Sequence, residues 1–267
     1  MANITVATHR YVWRGVKNAN YGLHSALERR LRASGLAVTS AELKARELQL
    51  LASARAAGLG YGDHQLTDAD LLALLQHAGA STSLIDVTPD PFVALFFATE
   101  PVGEPAPCAL IAIKVHGRTP AEQASHTVQG PLENAPDKSV YERLGDRLAL
   151  PPATVEPILW EAPFVDNRMR VQRGMFLATT AALDPVDYAS FNPDLGVPTV
   201  ERRRVANVCR RAPGKWTRPS LVVFYISKAL RQQATAELDK RFGYRTETIY
   251  PDLAGFALAN AWNRSLG

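Results

Sequence analysis

The stretch that decides the fold runs from Leu71 to Glu100, LLALLQHAGASTSLIDVTPDPFVALFFATE. Just before it, Thr67-Asp68-Ala69-Asp70 supplies a hydroxyl cap with a carboxylate three residues later. The leucines that follow predict a helix running through Gln76 and His77 and closing at Gly79. Thr82 to Thr88 reads as strand. Asp90 then stands as N-cap with Pro91 at the first helical position. The segment Phe92–Thr99 is apolar almost all round, which places that helix in the interior. Between the apolar pieces lie Gln76, His77, Ser81, Thr82, Ser83, Asp86 and Thr88. Buried polar side chains are costly unless each finds a partner, so this density of them points to the lining of a site.

Upstream, Tyr11-Val12-Trp13-Arg14-Gly15 sets an arginine among strand-forming residues. A cation in a core strand needs an anionic partner, and no acid is near it in sequence. The partner is either an acidic side chain from elsewhere in the fold or a ligand phosphate, whose oxygens match the guanidinium fork. Gly15 is expected to let a ligand approach the backbone closely. Ile4 and Val6 extend the strand signal, with His9-Arg10 as a break, and helices are expected over Gly22–Ser34 and Ser40–Ala57. Gly58-Leu59-Gly60-Tyr61-Gly62 follows a helix, the wrong context for a dinucleotide fingerprint.

Downstream, Ala109–Val115 reads as a buried strand, and 117–157 as loop with a short helix around 138–148. Ile158–Trp160 and Met169–Ala178 read as strands flanking a polar turn at Asp166-Asn167-Arg168. The segment 184–219 reads as irregular surface. Leu221–Ile226 is a strand and Ser227–Phe242 a helix stopped by Gly243, before a last apolar helix opened by Pro251-Asp252. Strands scattered among helices without strict alternation predict an α+β class, in one domain over 1–267.

No apolar run approaches the roughly 18 residues of a membrane span, and MANITVATHRYVW lacks the pattern of a signal peptide. Cys108 and Cys209 have no metal-like or redox-like spacing, which suits a reducing compartment. A cytoplasmic protein with no membrane partner and no metal is expected. The net charge of +4 leaves nucleic acid open as a partner. The cluster Arg202-Arg203-Arg204, Arg210-Arg211, Lys215 and Arg218, with Trp216 inside it, either tracks a phosphate backbone or is a solvated basic loop. No HExxH, GxSxG, Walker or paired-cysteine motif occurs.

Each candidate side chain carries two readings. His77 is a packing residue or helix-end partner, or, beside Gln76, part of a site. Ser81, Thr82 and Ser83 bond locally to turn backbone or face a ligand. Asp86 and Thr88 share a face with Leu84, and Arg14 is one candidate donor for the Asp86 carboxylate. On the expected strand Met169–Ala178, Arg170, Gln172 and Gly174 share a face. Glu161, after Trp160, is the nearest acid upstream and reads either as a solvated strand end or as a catalytic acid.

Taken together these pieces resemble the FRG domain, a bacterial family named after a Phe-Arg-Gly signature that reads here Trp13-Arg14-Gly15. Its central run corresponds to Gln76-His77-Ala78-Gly79-Ala80-Ser81-Thr82-Ser83-Leu84-Ile85-Asp86-Val87-Thr88, then Pro91, Ala94-Leu95 and Phe97-Ala98. Later elements correspond to Arg168, Gln172, Gly174 and Phe176, and to Tyr250-Pro251-Asp252-Leu253 with Gly255. The chain departs from the pattern with Trp13 for phenylalanine, Ala80-Ser81 for the usual Gly/Leu-Pro, and Ser83 for the usual arginine. The FRG pattern in turn looks like that of ADP-ribosyltransferases, through Arg14-Gly15, Ser81-Thr82-Ser83-Leu84, Ala94–Ala98 and Ile111–Val115 in order. Where those enzymes carry a catalytic glutamate, the best-placed residue is Gln172.

The resemblance implies a split mixed/antiparallel sheet core with surrounding helices, and an NAD-dependent ADP-ribosyltransferase-like protein. NAD is then the substrate, and the setting is that of a toxin or defence effector with a neutralising partner. It assigns Arg14 and Gly15 to the phosphate, and Ser81 and Thr82 to the nicotinamide-ribose side. His77 falls to the ribose hydroxyls, with Gln76 and Asp86 among the NAD-binding residues. Gln172, or failing it Glu161, would orient the ribose or the acceptor. The acceptor is expected to be DNA or RNA, held through Arg202, Arg203, Arg204 and the stacking surface of Trp216. The alternative is a non-catalytic nucleotide- or nucleic-acid-binding module, which needs no glutamate.

Overall fold

The computed structural model describes residues 11–19, 23–61, 65–100, 106–114, 127–151, 157–163, 167–179 and 221–253, with Gly255 and Ala257. Two sheets meet edge to edge. In the first, β1 (Tyr11–Val16), β3 (Cys108–Lys114) and β7 (Leu221–Ile226) lie in that order, all antiparallel, with Arg14 opposite Ile111 and Gly15 opposite Leu110. In the second the order is β2 (Leu84–Val87), β6 (Met175–Ala178), β5 (Ile158–Glu161) and β4 (Thr127–Gln129). There β2–β6 and β6–β5 are antiparallel and β5–β4 is parallel. The sheets are joined by two backbone hydrogen bonds between the edge strands: Trp13 N–H to the Thr88 carbonyl at 2.7 Å, and Thr88 N–H to the Trp13 carbonyl at 2.9 Å.

The strand pleat sorts the apolar residues into layers. Val12 and Val16 of β1 pack with Ile85 and Val87 of β2, Ile111, Leu159, Leu177 and Val223 in a core between the sheets. Trp13, on the opposite face of β1, joins Leu110 and Ala112 under α4 (Pro91–Thr99) and α7 (Lys228–Phe242). On the far side of the second sheet, Leu84, Trp160 and Phe176 pack under α2 (Ser40–Ala56), α3 (Asp68–His77) and α5 (Val140–Arg147). Each fully buried aromatic or leucine here contributes roughly 1.5–3 kcal/mol. The smaller helices are α1 (Ala26–Ala33), α6 (Asn167–Gln172) and α8 (Thr246–Ile249). The class is α+β, as the scattered strands predict. Among the described residues no helix is long and apolar enough to cross a membrane.

The helix signals around the central run act where they stand. The Thr67 side chain accepts the Asp70 N–H at 3.1 Å, and α3 closes at Gly79, whose φ of +91° is the left-handed geometry of a helix stop. Asp90 Oδ1 accepts the Phe92 N–H at 2.8 Å with Pro91 behind it, and α4 buries Val93, Ala94, Leu95, Phe96 and Ala98.

Two expectations are corrected. Met169–Ala178 is not one strand, and Asn167-Arg168 opens a helix rather than making a turn. Met169 and Gln172 are buried while Val171 between them is exposed, which is helical and not strand spacing. The helix ends through left-handed Arg173 (φ 49°) and the Gly174 N–H bonded to the Met169 carbonyl at 2.8 Å, and β6 begins only at Met175. Arg170, Gln172 and Gly174 therefore do not share a strand face. Inside the stretch expected as loop, Thr127–Gln129 adds a strand beside β5. At Gly15 a Cβ would lie 1.9 Å from the Ala94 carbonyl oxygen and 2.6 Å from the Ala98 nitrogen, both backbone atoms of α4, so the glycine lets β1 and α4 pack closely. The expected strand at Ile4 and Val6, the segment 184–219, Arg202, Arg203, Arg204, Trp216 and Cys209 lie outside the described residues.

Candidate functional site

A cavity of about 230 Å³ opens where the two sheets meet. Its wall is assembled from segments far apart in sequence: Trp13, Arg14 and Gly15 from β1, Gln76 and His77 from the end of α3, and Asp86, Val87 and Thr88 from β2. Phe97 of α4, Arg168 and Gln172 of α6, Gly174, Met175 and Tyr250 complete it.

Arg14 sits half-buried on the edge strand. Its Nη1 donates to the Asp86 main-chain carbonyl at 2.9 Å, and its Nε–H is buried without a hydrogen-bond partner. Burial lowers its pKa from the ordinary arginine value, an effect the nearby Asp86 charge opposes. Such a donor is stabilised by an anion.

The Asp86 carboxylate is not on a buried face and does not take Arg14 as its donor. Asp86 is exposed although its pleat neighbour Leu84 is buried. Its Oδ2 accepts from Gln76 Nε2 at 2.7 Å, and Gln76 Oε1 accepts the hydroxyl of fully buried Thr82 at 2.6 Å. Thr82, Gln76 and Asp86 thus form a chain of side-chain hydrogen bonds ending on the cavity wall. Thr82 supports that wall from behind and does not line it, and neither does Ser81. The Ser83 hydroxyl turns to Glu47 of α2.

Arg168 is the second guanidinium on the cavity. It lies over the Tyr250 ring at 4.3 Å, its Nη1 donates to the His77 carbonyl at 3.4 Å, and its Nε–H is likewise buried without a hydrogen-bond partner. Asp252 reaches it only at 4.0 Å. Tyr250 O–H donates to Glu100 Oε2 at 3.1 Å, and Lys17 pairs with the same oxygen at 2.8 Å. Burial, then the Glu100 charge, raises the Tyr250 pKa, so the phenol stays protonated and keeps donating.

Gln172 is buried, with Nε2 donating to the Ile249 carbonyl at 3.0 Å and its main-chain carbonyl accepting the Thr88 hydroxyl at 2.9 Å. The His77 ring packs edge-on against Phe176, centroids 5.8 Å apart. Glu161, the other candidate acid, lies on β5 with Oε2 accepting from Gln129 Nε2 at 2.8 Å, and it does not line the cavity. The structure therefore brings Arg14, Gly15, Gln76, His77, Asp86 and Gln172 together and leaves out Ser81, Thr82 and Glu161.

Arg168 and Tyr250 are cavity residues to which the sequence reading gave no role in binding or catalysis. Both belong to the motif elements quoted above, so the signal was present. What the sequence alone could not show is that an arginine in one element and an aromatic in another face the same space.

Comparison with curated proteins and with solved structures returns no match. Residues 9–105, which hold the β1 arginine, the Gln76–Thr88 run and helix α4 but stop short of Arg168, Gln172 and Tyr250, match the FRG domain.

Proposed function

We infer that the cavity binds NAD and that the protein transfers ADP-ribose from it. The observation that carries this reading is the pair of guanidinium groups, Arg14 and Arg168, whose Nε–H groups are buried without hydrogen-bond partners on one cavity. Two cations facing a single carboxylate on the wall, Asp86, favour an anionic ligand, and guanidinium groups match phosphate oxygens bidentately. Thr88, His77 and Gln172 add polar groups suited to ribose hydroxyls. The cavity is smaller than the roughly 300–1,000 Å³ of complete cofactor sites, so part of the dinucleotide lies in the open mouth. Two sheets joined at one bridge fit the split core that the ADP-ribosyltransferase resemblance implies.

The test is nicotinamide release from NAD by the wild type and Arg14→Ala. Losing a charge-assisted contact to phosphate predicts a kcat/KM lower by about 10- to 100-fold, with the circular dichroism spectrum unchanged. An equally active variant removes Arg14 from the mechanism. Nucleic acid is the acceptor we assign to this reading, on the strength of the basic run around Trp216 in the sequence. A bacterial toxin or defence role with a neutralising partner belongs to the same proposal.

A second reading, a non-catalytic nucleotide- or nucleic-acid-binding module, is favoured by one observation. Among the described residues no glutamate lines the cavity, and the Gln172 amide is tied to a main-chain carbonyl. Calorimetry with NAD, ADP-ribose and short oligonucleotides separates the two: binding with no nicotinamide release over hours favours the module.

A further inference from the structure

Resting on the NAD reading above, we propose that Asp86 is the carboxylate that stabilises the ribosyl cation during transfer, with Gln76 as its positioning residue. Asp86 is the one acidic side chain on the cavity wall among the described residues. What distinguishes it is how the fold treats it and Arg14. The two opposite charges are neighbours, yet they do not pair. Arg14 donates to the main-chain carbonyl of Asp86, while the Asp86 carboxylate takes its hydrogen bond from the neutral amide of Gln76. An ion pair would have cancelled both charges toward a ligand. Held by neutral partners instead, each keeps its charge for the opposite charge of a ligand.

The orientation is built in from behind. Thr82 is fully buried and fixes Gln76 through its hydroxyl, so the amide presents Nε2 to Asp86 Oδ2 and not Oε1, which would repel it. The other carboxylate oxygen, Oδ1, accepts no hydrogen bond from a described residue and can face the cavity. An anchored carboxylate beside an anion-binding guanidinium complements a ligand with a phosphate at one end and a positive charge that develops at the other. In NAD the pyrophosphate lies on one side, and on the other the charge develops at C1′ and the ring oxygen as nicotinamide leaves.

The chemistry balances without a further reactant. The bond between ribose C1′ and the nicotinamide nitrogen breaks, and its electron pair leaves with nicotinamide, which becomes neutral. The positive charge moves to C1′ and the ring oxygen, where Asp86 stabilises it. A hydroxyl or amine of the acceptor, or water, bonds to C1′ and releases one proton, which Asp86 accepts and passes to solvent. This assigns to β2 the role that a glutamate near Gln172 would otherwise hold.

The experiment compares wild type, Asp86→Asn and Asp86→Glu for nicotinamide release and, by calorimetry, for NAD affinity. Asparagine keeps the oxygen that accepts from Gln76, so the wall stays intact. Asp86→Asn is expected to slow release about 100-fold while NAD affinity stays within about threefold. Asp86→Glu, with the charge restored, is expected to recover at least about tenfold of that loss. An Asp86→Asn protein with wild-type turnover, or one whose affinity falls in step with its rate, overturns the assignment and leaves the NAD reading standing. A wild type that neither binds NAD nor releases nicotinamide overturns both.

Discussion

Arg168 is held by an aromatic face, not by a full ion pair. Its guanidinium lies 4.3 Å from the Tyr250 ring centroid, and the nearest carboxylate, Asp252, is at 4.0 Å. A cation so placed is oriented without being neutralised, and the stacking is worth roughly 0.5–2 kcal/mol. The Tyr250 hydroxyl has a separate task, donating to buried Glu100, which Lys17 also pairs. The two tasks can be separated by substitution. Tyr250→Phe keeps the ring over Arg168 and removes only the hydroxyl. It is expected to lower stability by about 1 kcal/mol and, on the NAD reading proposed above, to change NAD affinity little. Tyr250→Leu removes the ring and, on the same reading, is expected to weaken NAD binding by about 3- to 20-fold. Calorimetry and a urea titration on both variants check this, and equal loss of affinity in the two would show that the hydroxyl, not the ring, matters to the ligand.

At the scale of elements, the contact between β1 and α4 sets one side of the cavity, β1 supplying Trp13, Arg14 and Gly15 and α4 supplying Phe97. Gly15 faces α4 on the same side of the strand as Trp13, and the helix backbone occupies the place of its missing side chain. In Gly15→Ala the new methyl would meet the Ala94 carbonyl oxygen at 1.9 Å, so the helix must move outward. We expect a loss of about 3 kcal/mol, read as a lower urea midpoint, together with weaker ligand binding because Phe97 retreats from the cavity. A midpoint equal to the wild type would mean that α4 yields without cost. Helices α3 and α4 were legible because their signals are local: a cap at Thr67, a cap and proline at Asp90-Pro91, a stop at Gly79. The break at Arg173-Gly174 was not, since a left-handed arginine carries no composition signal and Met169–Ala178 alternates well enough to pass for a strand. The same limit applies to the site. Arg14, His77 and Gln172 were legible as polar residues in apolar company. That Arg14 would take a main-chain carbonyl, and Asp86 an amide, depends on how two edge strands meet, which no spacing encodes.

Across the whole molecule, one buried carboxylate ties the outer helices to the strand that carries Asp86. Glu47 of α2 is almost fully buried; Oε1 accepts the Val140 N–H at the start of α5 at 2.7 Å, and Oε2 accepts the Ser83 hydroxyl just before β2. The helix N-terminus favours an anion, yet burial outweighs the hydrogen bonds and raises the Glu47 pKa above the ordinary glutamate value. The sign of the consequence follows from proton binding. Between the unfolded pKa and the raised folded one, the native state binds more protons than the unfolded chain, so stability falls as pH rises through that window. The contribution is full below the ordinary glutamate value and lost above the raised one. Glu47→Gln keeps an oxygen for Val140 and an amide for the Ser83 oxygen but cannot ionise. Its stability relative to wild type should therefore be near zero at acid pH and shift in favour of the variant as pH rises toward neutral. Glu47→Ala, which leaves the Val140 N–H without its acceptor and cannot ionise either, should cost about 2 kcal/mol at acid pH and less as pH rises. Thermal melts of the three proteins across pH decide the matter: a difference between wild type and Glu47→Gln that stays constant with pH would place the Glu47 proton outside the folding equilibrium.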